Sequence, residues 1–373
     1  MSCGWTNKMV IWQPMNIQSS FDADVRSTDR PSGGYEWWYF DAMTEDDRYS
    51  IVIIFYEGNP FSTRYNQRLV NGDDPLPDDH PAISISVYEQ GSPIYYSFTE
   101  FDATDCTFNA EHPKVTVGPH SMKGTDEGGK LCYTLQLDEE LPSGDGLQAK
   151  LRFESSKTEI FSAKNSGEGG HLWNLVQPRA EVTGRVRISQ DKTGTNEIAF
   201  EGTGYHDHNT GREPMREEFS DWYWGRFHFD YGTLVYYVMN RRQTEQHKAW
   251  LMSPDSGDLL QTYNEIDLVD RGLTVFGLKT ARKIGLRSGN SQVQVQQSEL
   301  FDNGPFYQRY RSEAFLRIPA EGVVESCKGI TEYIRPDRIY ARMFWPFVNM
   351  RIRYQPEKPH WVQKSKMLYR WTW

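Results

Sequence analysis

Ile83-Ser84-Ile85-Ser86-Val87 alternates aliphatic and small polar side chains. An extended strand turns successive side chains to opposite faces, so this run reads as a strand with one apolar face. The same period of two returns at Leu131, Tyr133, Leu135 and Leu137, and at Leu147, Ala149, Leu151 and Phe153. It recurs at Val182, Gly184, Val186 and Ile188, at Val293 and Val295, and at Met350, Ile352 and Tyr354. Turn clusters punctuate these runs: Asn71-Gly72-Asp73-Asp74, Glu127-Gly128-Gly129, Ser143-Gly144-Asp145-Gly146 and Ser288-Gly289-Asn290. Many short strands with such punctuation predict an all-β chain of antiparallel barrels or sandwiches. The sequence offers neither a long amphipathic helix nor the strand–helix rhythm of a parallel sheet. One short helix is expected from Trp361 to Leu368.

A chain of 373 residues favours two domains, each able to bury its own core. The polar, proline-containing stretch from Gly211 to Glu218 is the boundary candidate, giving domains of residues 1–214 and 215–373. Against 41 Lys and Arg stand 51 Asp and Glu, a net charge of -10, which argues against nucleic acid or an anionic membrane surface as main partner. The longest apolar runs, Ile51 to Tyr56 and Leu234 to Met239, are too short to span a bilayer as helices. Met1 to Pro14 lacks the pattern of a secretory leader. Cys3, Cys106, Cys132 and Cys327 lie far apart without a CxxC pair and read as free thiols. A cytoplasmic protein is expected, with peripheral membrane contact left open as a route to an apolar substrate. The 12 Trp, 21 Tyr and 19 Phe cluster in adjacent pairs, which points to an aromatic-lined cavity for a hydrophobic small molecule as well as a core.

Four stretches carry candidate chemistry. In Tyr35-Glu36-Trp37-Trp38-Tyr39-Phe40-Asp41, a strand puts Glu36, Trp38 and Phe40 on one face. A carboxylate among rings loses hydration, which raises its pKa and makes Glu36 a candidate proton donor. The plainer alternative is a core strand whose Glu36 is satisfied by an Arg or by backbone N–H groups. In Gly204-Tyr205-His206-Asp207-His208-Asn209, His206 and His208 share a face, opposite Tyr205, Asp207 and Asn209. Two alternate His begin a metal site, yet no further ligand is identifiable, so a polar network in which a His orients or charges an acidic Asp is preferred to a metal. A buried hydrogen-bonded corner is the bland alternative. In Asp221-Trp222-Tyr223-Trp224-Gly225, Trp222 and Trp224 share a face, as do Leu234, Tyr236 and Val238 on the next run. Such a wall of rings can hold an extended polyene and stabilise a carbocation, although an aromatic core is the more common explanation of such a stretch taken alone. Glu332-Tyr333 and Met343-Phe344-Trp345 give a second carboxylate candidate and more lining, with Tyr333 and Trp345 as binding residues.

Together, Tyr35-Glu36-Trp37-Trp38-Tyr39, Gly204-Tyr205-His206-Asp207-His208-Asn209 and Trp222-Tyr223-Trp224-Gly225 resemble the carotenoid 1,2-hydratase family, whose wider superfamily includes lipocalin-like Diels–Alderases. The resemblance runs from about residue 30 to Glu332-Tyr333. It implies two lipocalin-like β domains side by side, a hydrophobic pocket at their interface, no metal and no organic cofactor. It makes Glu36 a binding or polarising group, gives His206 a functional role and places the later hydratase Tyr on Tyr236. The hydratase Asp position then falls on Val238, and no carboxylate lies between Gly232 and Asn240. Many relatives carry Trp-Gly after the Asn; here Asn209 is followed by Thr210-Gly211.

The leading expectation is therefore a cofactor-independent cyclase or pericyclase acting on an isoprenoid or polyene. Its catalytic candidates are Glu36, His206, Asp207 and Tyr236. Its binding candidates are Trp38, Phe40, Tyr205, Asn209, Trp222, Trp224, Val238, Tyr333 and Trp345. Hydration of a terminal alkene, with an acid from Asp207 or Glu36, is the alternative reaction. A non-catalytic lipocalin-type carrier is the alternative class, and it gains if Glu36, His206 and Asp207 all point away from the main cavity.

Overall fold

Strands that alternate in sequence separate into two kinds by burial. Lys130–Glu140 and Gly146–Ser156 bury one face and expose the other. Tyr35–Thr44, Tyr49–Glu57 and Ala82–Glu89 are buried on both faces almost throughout. A strand buried on both sides lies between two packed layers. In this computed structural model, which describes residues 15–161, 170–190, 194–240 and 245–372, those layers are two antiparallel sheets.

The first sheet has 13 strands and the second has nine. At the centre of the first, Tyr49–Glu57, Tyr35–Thr44, Gly194–Gly211 and Leu172–Gln190 lie side by side. At the centre of the second, Thr233–Asn240, Asp221–His228 and Val323–Ile334 do the same. Each sheet curls nearly closed, giving an all-β, lipocalin-like architecture. The chain leaves the first sheet at Gly211, passes through a four-residue helix, Met215–Glu218, and enters the second at Asp221. It returns at the end, where Arg353–Tyr354 pairs in parallel with Ser92–Glu100.

The core follows the same division. Tyr223, Tyr236, Val238 and Tyr333 pack inside the second sheet. Trp222, Trp224, Tyr237 and Met239, from alternate positions on two of the same strands, join the core of the first sheet. At Gly225 a Cβ would stand 2.6 Å from the Tyr236 ring, so only glycine lets that ring lie flat on the strand between Trp224 and Arg226. One buried ion pair ties the layers together: Arg226 donates through Nε and Nη2 to Asp41 Oδ1, and both side chains are almost wholly buried.

Two local expectations need correction. Met350, Ile352 and Tyr354 do not share a strand, because Met350 lies in the last turn of the helix Trp345–Arg351 and only Arg353–Tyr354 pairs as a strand. Pro346 in the first turn favours the helix there. The expected helix from Trp361 to Leu368 is two pieces, Trp361–Lys364 and Lys366–Trp371, split where Ser365 caps the second. Cys106, Cys132 and Cys327 are free thiols, while Cys3 and the segment Met1 to Pro14 lie outside the described residues.

Candidate active site between the two sheets

The register of the central strands decides which side chains meet. Asp207 pairs with Tyr39 across one ladder and with Leu175 across the other, and Asn209 pairs with Trp37 and Trp173. Around these pairs Trp37, Tyr39, Trp173, Asp207 and Asn209 face the second sheet, whereas Glu36, Trp38, Phe40, His206 and His208 face the interior of the first. The first of these sets borders a cavity with Trp37, Tyr39, Trp173, Asp207, Trp222 and Trp224 in its wall. His171, Asn209, Met239 and Glu332 complete its polar and apolar edges. Trp37 stacks on Trp222 at 6.3 Å between ring centroids, and Tyr39 meets Trp224 edge-on at 5.3 Å.

Asp207 is the acid of this cavity. Its Oδ2 accepts from Trp173 Nε1 at 2.7 Å and from the Tyr205 hydroxyl at 2.6 Å, and its Oδ1 accepts from Asn209 Nδ2 at 2.8 Å. Burial pushes its pKa up to about 7, against those donors, and the negative charges of Glu332 and Asp41 push the same way. A carboxylate has about four acceptor positions. Three are taken, so the open one, on Oδ1, is where a proton sits. The donors fix the carboxyl in place, and a pKa of about 7 leaves it about half protonated at neutral pH beside a wall of π faces.

From Asp207 the hydrogen bonds continue outward. Asn209 Oδ1 lies 2.9 Å from His171 Nε2, His171 Nδ1 lies 3.1 Å from the Tyr35 hydroxyl, and that hydroxyl donates to Glu218 at 2.7 Å. Because Asn209 spends its amide N–H on Asp207, its carbonyl faces His171, and His171 Nε2 must carry a hydrogen. On another side of the cavity, Glu332 Oε1 accepts from the Tyr39 hydroxyl at 3.1 Å and from Arg309 Nε at 2.9 Å. A second cavity shares Ile54, Tyr56, Phe61 and Tyr307 with the first.

Several expected site residues lie elsewhere. Glu36 does not line this space. Its Oε1 meets His208 Nε2 at 2.7 Å and accepts from the Ser27 backbone N–H at 2.9 Å, inside the first sheet. Trp38 stacks on His208 at 4.5 Å and Phe40 on His206 at 3.9 Å, also inside. His206 sits between the Tyr39 carbonyl and Asp24 Oδ2, each at 3.0 Å. Both nitrogens of both His are thus occupied by protein oxygens, since His208 Nδ1 lies 3.3 Å from Asp24 Oδ1. Burial alone would lower the pKa of His208, but hydrogen bonds to Asp24 and Glu36 outweigh it and lift it to about 9. Burial would raise Asp24, but the two His bring it down to about 2. This is a buried ionic network and not a cavity wall.

Tyr236, Val238 and Tyr333 face the interior of the second sheet, so the cavity takes their neighbours Met239 and Glu332 instead. The physical reason is common to all these misplacements: the strands are apolar on both faces, so hydrophobic alternation does not mark the cavity side. Trp345 donates its indole N–H to the Ile339 carbonyl at 3.0 Å, while Phe347 and Val348 beyond it line the second cavity. Tyr205 supports Asp207 and packs on Trp224 at 5.2 Å. Of the residues that sequence reasoning singled out, the structure brings together Asp207, Asn209, Trp222, Trp224 and Glu332, with Tyr205 behind them. It adds His171, Trp173, Trp37 and Tyr39, of which only the aromatic pair within the first motif carried a sequence signal.

The fold and site define a lipocalin-like protein of two near-closed sheets, with an aromatic cavity and a buried acid between them. The chain belongs to the carotenoid hydratase CrtC family, whose description matches residues 53–363. It is 29% identical over 336 residues to hydroxyneurosporene dehydrogenase of Chlorobaculum tepidum, covering 86% of this chain and 87% of that one. It is 26% identical over 220 residues to acyclic carotenoid 1,2-hydratase of Thiocapsa roseopersicina, covering 59% of this chain and 50% of that one. Among solved structures, CghA superposes with a TM-score of 0.58 at 11% identity, over 86% of this chain and 97% of that chain. A protein from Nitrosomonas europaea described as a putative AttH gives the same TM-score at 13% identity, over 84% and 96%. At such identities these two likenesses concern the fold alone.

Proposed function

We propose that this protein is an enzyme acting on a long acyclic polyene, and that it adds water to a terminal trisubstituted alkene. Asp207 gives its proton to the less substituted alkene carbon, leaving a tertiary cation on the other. Trp222, Trp224 and Trp37 face that cation with their π clouds. Water bonds to the cationic carbon and returns one proton to the Asp207 carboxylate, so the net change is the gain of one water. The observation that carries this reading is a carboxyl raised to about 7 inside an aromatic cavity. Membership of a carotenoid hydratase family supports the substrate class and the reaction.

Cyclisation leads on the sequence alone because the strand Thr233–Asn240 has no carboxylate. That weight falls away once Asp207 and Glu332 supply carboxylates to the same cavity from other strands. Cyclisation remains the second reading, favoured by the predominantly aromatic wall: an internal alkene then traps the cation in place of water. A carrier is disfavoured, because it has no use for a buried neutral acid against its ligand. Incubation with an acyclic carotenoid separates the readings by mass. Hydration adds one water, cyclisation leaves the mass unchanged, and a carrier returns the substrate.

A further inference from the structure

The C-terminal part of the chain differs in charge from the rest. Residues 335–373 hold nine Lys and Arg against two carboxylates, a net charge of +7 in a chain of net -10. The described part folds into short helices held to one another by side chains. Gln363 Nε2 donates to the carbonyls of Met350 at 3.3 Å and Ile352 at 2.9 Å, and the Tyr369 hydroxyl donates to the Arg351 carbonyl at 3.2 Å. Large apolar side chains stand out from this cap: Met343 is 74% exposed, Trp361 64%, Met367 76% and Trp371 75%. Met367 and Trp371 are four apart on one helix and share a face. Arg342, Lys358 and Lys364 are exposed beside them and form no ion pair among the described residues.

We propose that this cap docks on an anionic lipid bilayer, with Trp361 and Trp371 seated in the headgroup region. Exposed Trp and Met mixed with Lys and Arg is the composition of an interfacial surface, where the rings sit at headgroup depth and the cations meet lipid charge. Arg351, Arg353 and Lys366 pair with carboxylates elsewhere in the chain, which leaves Arg342, Lys358 and Lys364 as the cap's exposed cations without an ion pair among the described residues. Two copies of such a face repel, which disfavours a symmetric dimer through it. The cap also borders the cavity. Phe347, 39% exposed, is at once a surface residue and a lining residue of the second cavity, with Val348 and Ile352 behind it. On the reading that the substrate is apolar, the docked cap lets it pass from the bilayer alongside Phe347 without crossing water.

The test is co-sedimentation of the full chain with vesicles of phosphatidylcholine and phosphatidylglycerol, against vesicles of phosphatidylcholine alone. Binding to the anionic vesicles is expected, weakened by salt and by roughly tenfold or more in Lys358→Glu/Lys364→Glu. Trp361→Ala/Trp371→Ala is expected to weaken it as well. Both variants are expected to keep wild-type turnover of detergent-dispersed substrate, since none of the four residues lines either cavity. Equal partition to neutral and anionic vesicles, unchanged binding by both variants, or a wild-type dimer that these substitutions dissociate would overturn the proposal. Vesicle binding is read without substrate, so its failure leaves the Asp207 chemistry standing, and failed turnover leaves the binding result standing.

Discussion

Trp173 donates its indole N–H to Asp207 Oδ2 at 2.7 Å, from the neighbouring strand of the same sheet. A Trp in a cavity wall thus both shapes the space and holds the acid. With Tyr205 on the same oxygen, it fixes which carboxylate oxygen is free to carry the proton.

Asp207 must be protonated to act, and its pKa of about 7 puts the useful form at neutral and lower pH. Turnover is expected to fall as pH rises through about 7. Asp207→Asn, which keeps the shape but has no acidic proton, is expected to lower kcat by at least about a hundredfold, in line with the usual weight of general acid catalysis. A pH–rate profile of both proteins checks this.

Trp173→Phe and Tyr205→Phe each remove a donor that holds the Asp207 pKa down. Each is expected to move the falling limb of the pH–rate profile to higher pH. A stability loss of about 1 kcal/mol should accompany each, the ordinary net worth of one buried hydrogen bond. Denaturant unfolding measures the second effect independently of the first.

His208 is expected to matter for stability. Removing it in His208→Ala leaves Asp24 and Glu36 buried without their shared cation, at a cost of about 3–5 kcal/mol. The pH dependence follows from the same network. His208, raised from its usual 6.5 to about 9, contributes stability that is complete below about 6.5 and lost as pH climbs through 9. Asp24, lowered to about 2, contributes stability present above about 3.8 and lost as pH falls through 2. Unfolding midpoints across pH should show both flanks.

Tyr236→Phe is expected to leave turnover unchanged and stability unchanged or raised by up to about 1 kcal/mol. Its hydroxyl is buried inside the second sheet without a hydrogen-bond partner, so its removal discards a desolvated polar group. Loss of activity in this variant would put the reacting space inside the second sheet.

The β architecture was legible because period-two runs such as Leu131 to Leu137 need only local information. The Tyr205–Asn209 face was legible too: Asp207 and Asn209 share a parity, and both reach the cavity. Glu36 was misassigned because both faces of its strand are buried, one against His208 and the other against the second sheet. Choosing between Glu36-Trp38-Phe40 and Trp37-Tyr39-Asp41 needs knowledge of the partner layer, which no alternation carries. Asp24, His171 and Trp173 come to their places through long-range register and loop packing. Met343 reads as lining in the sequence yet is 74% exposed, and the exposure of Trp361 and Trp371 is visible only in the fold.

Turnover of an acyclic carotenoid in deuterated water, with products analysed by mass spectrometry and NMR, tests proton delivery by Asp207 most directly. The expected product is heavier by one water, carries solvent deuterium on the less substituted carbon of the former alkene, and is absent with Asp207→Asn. A product without carbon-bound solvent deuterium, or one that Asp207→Asn forms at the wild-type rate, would contradict it.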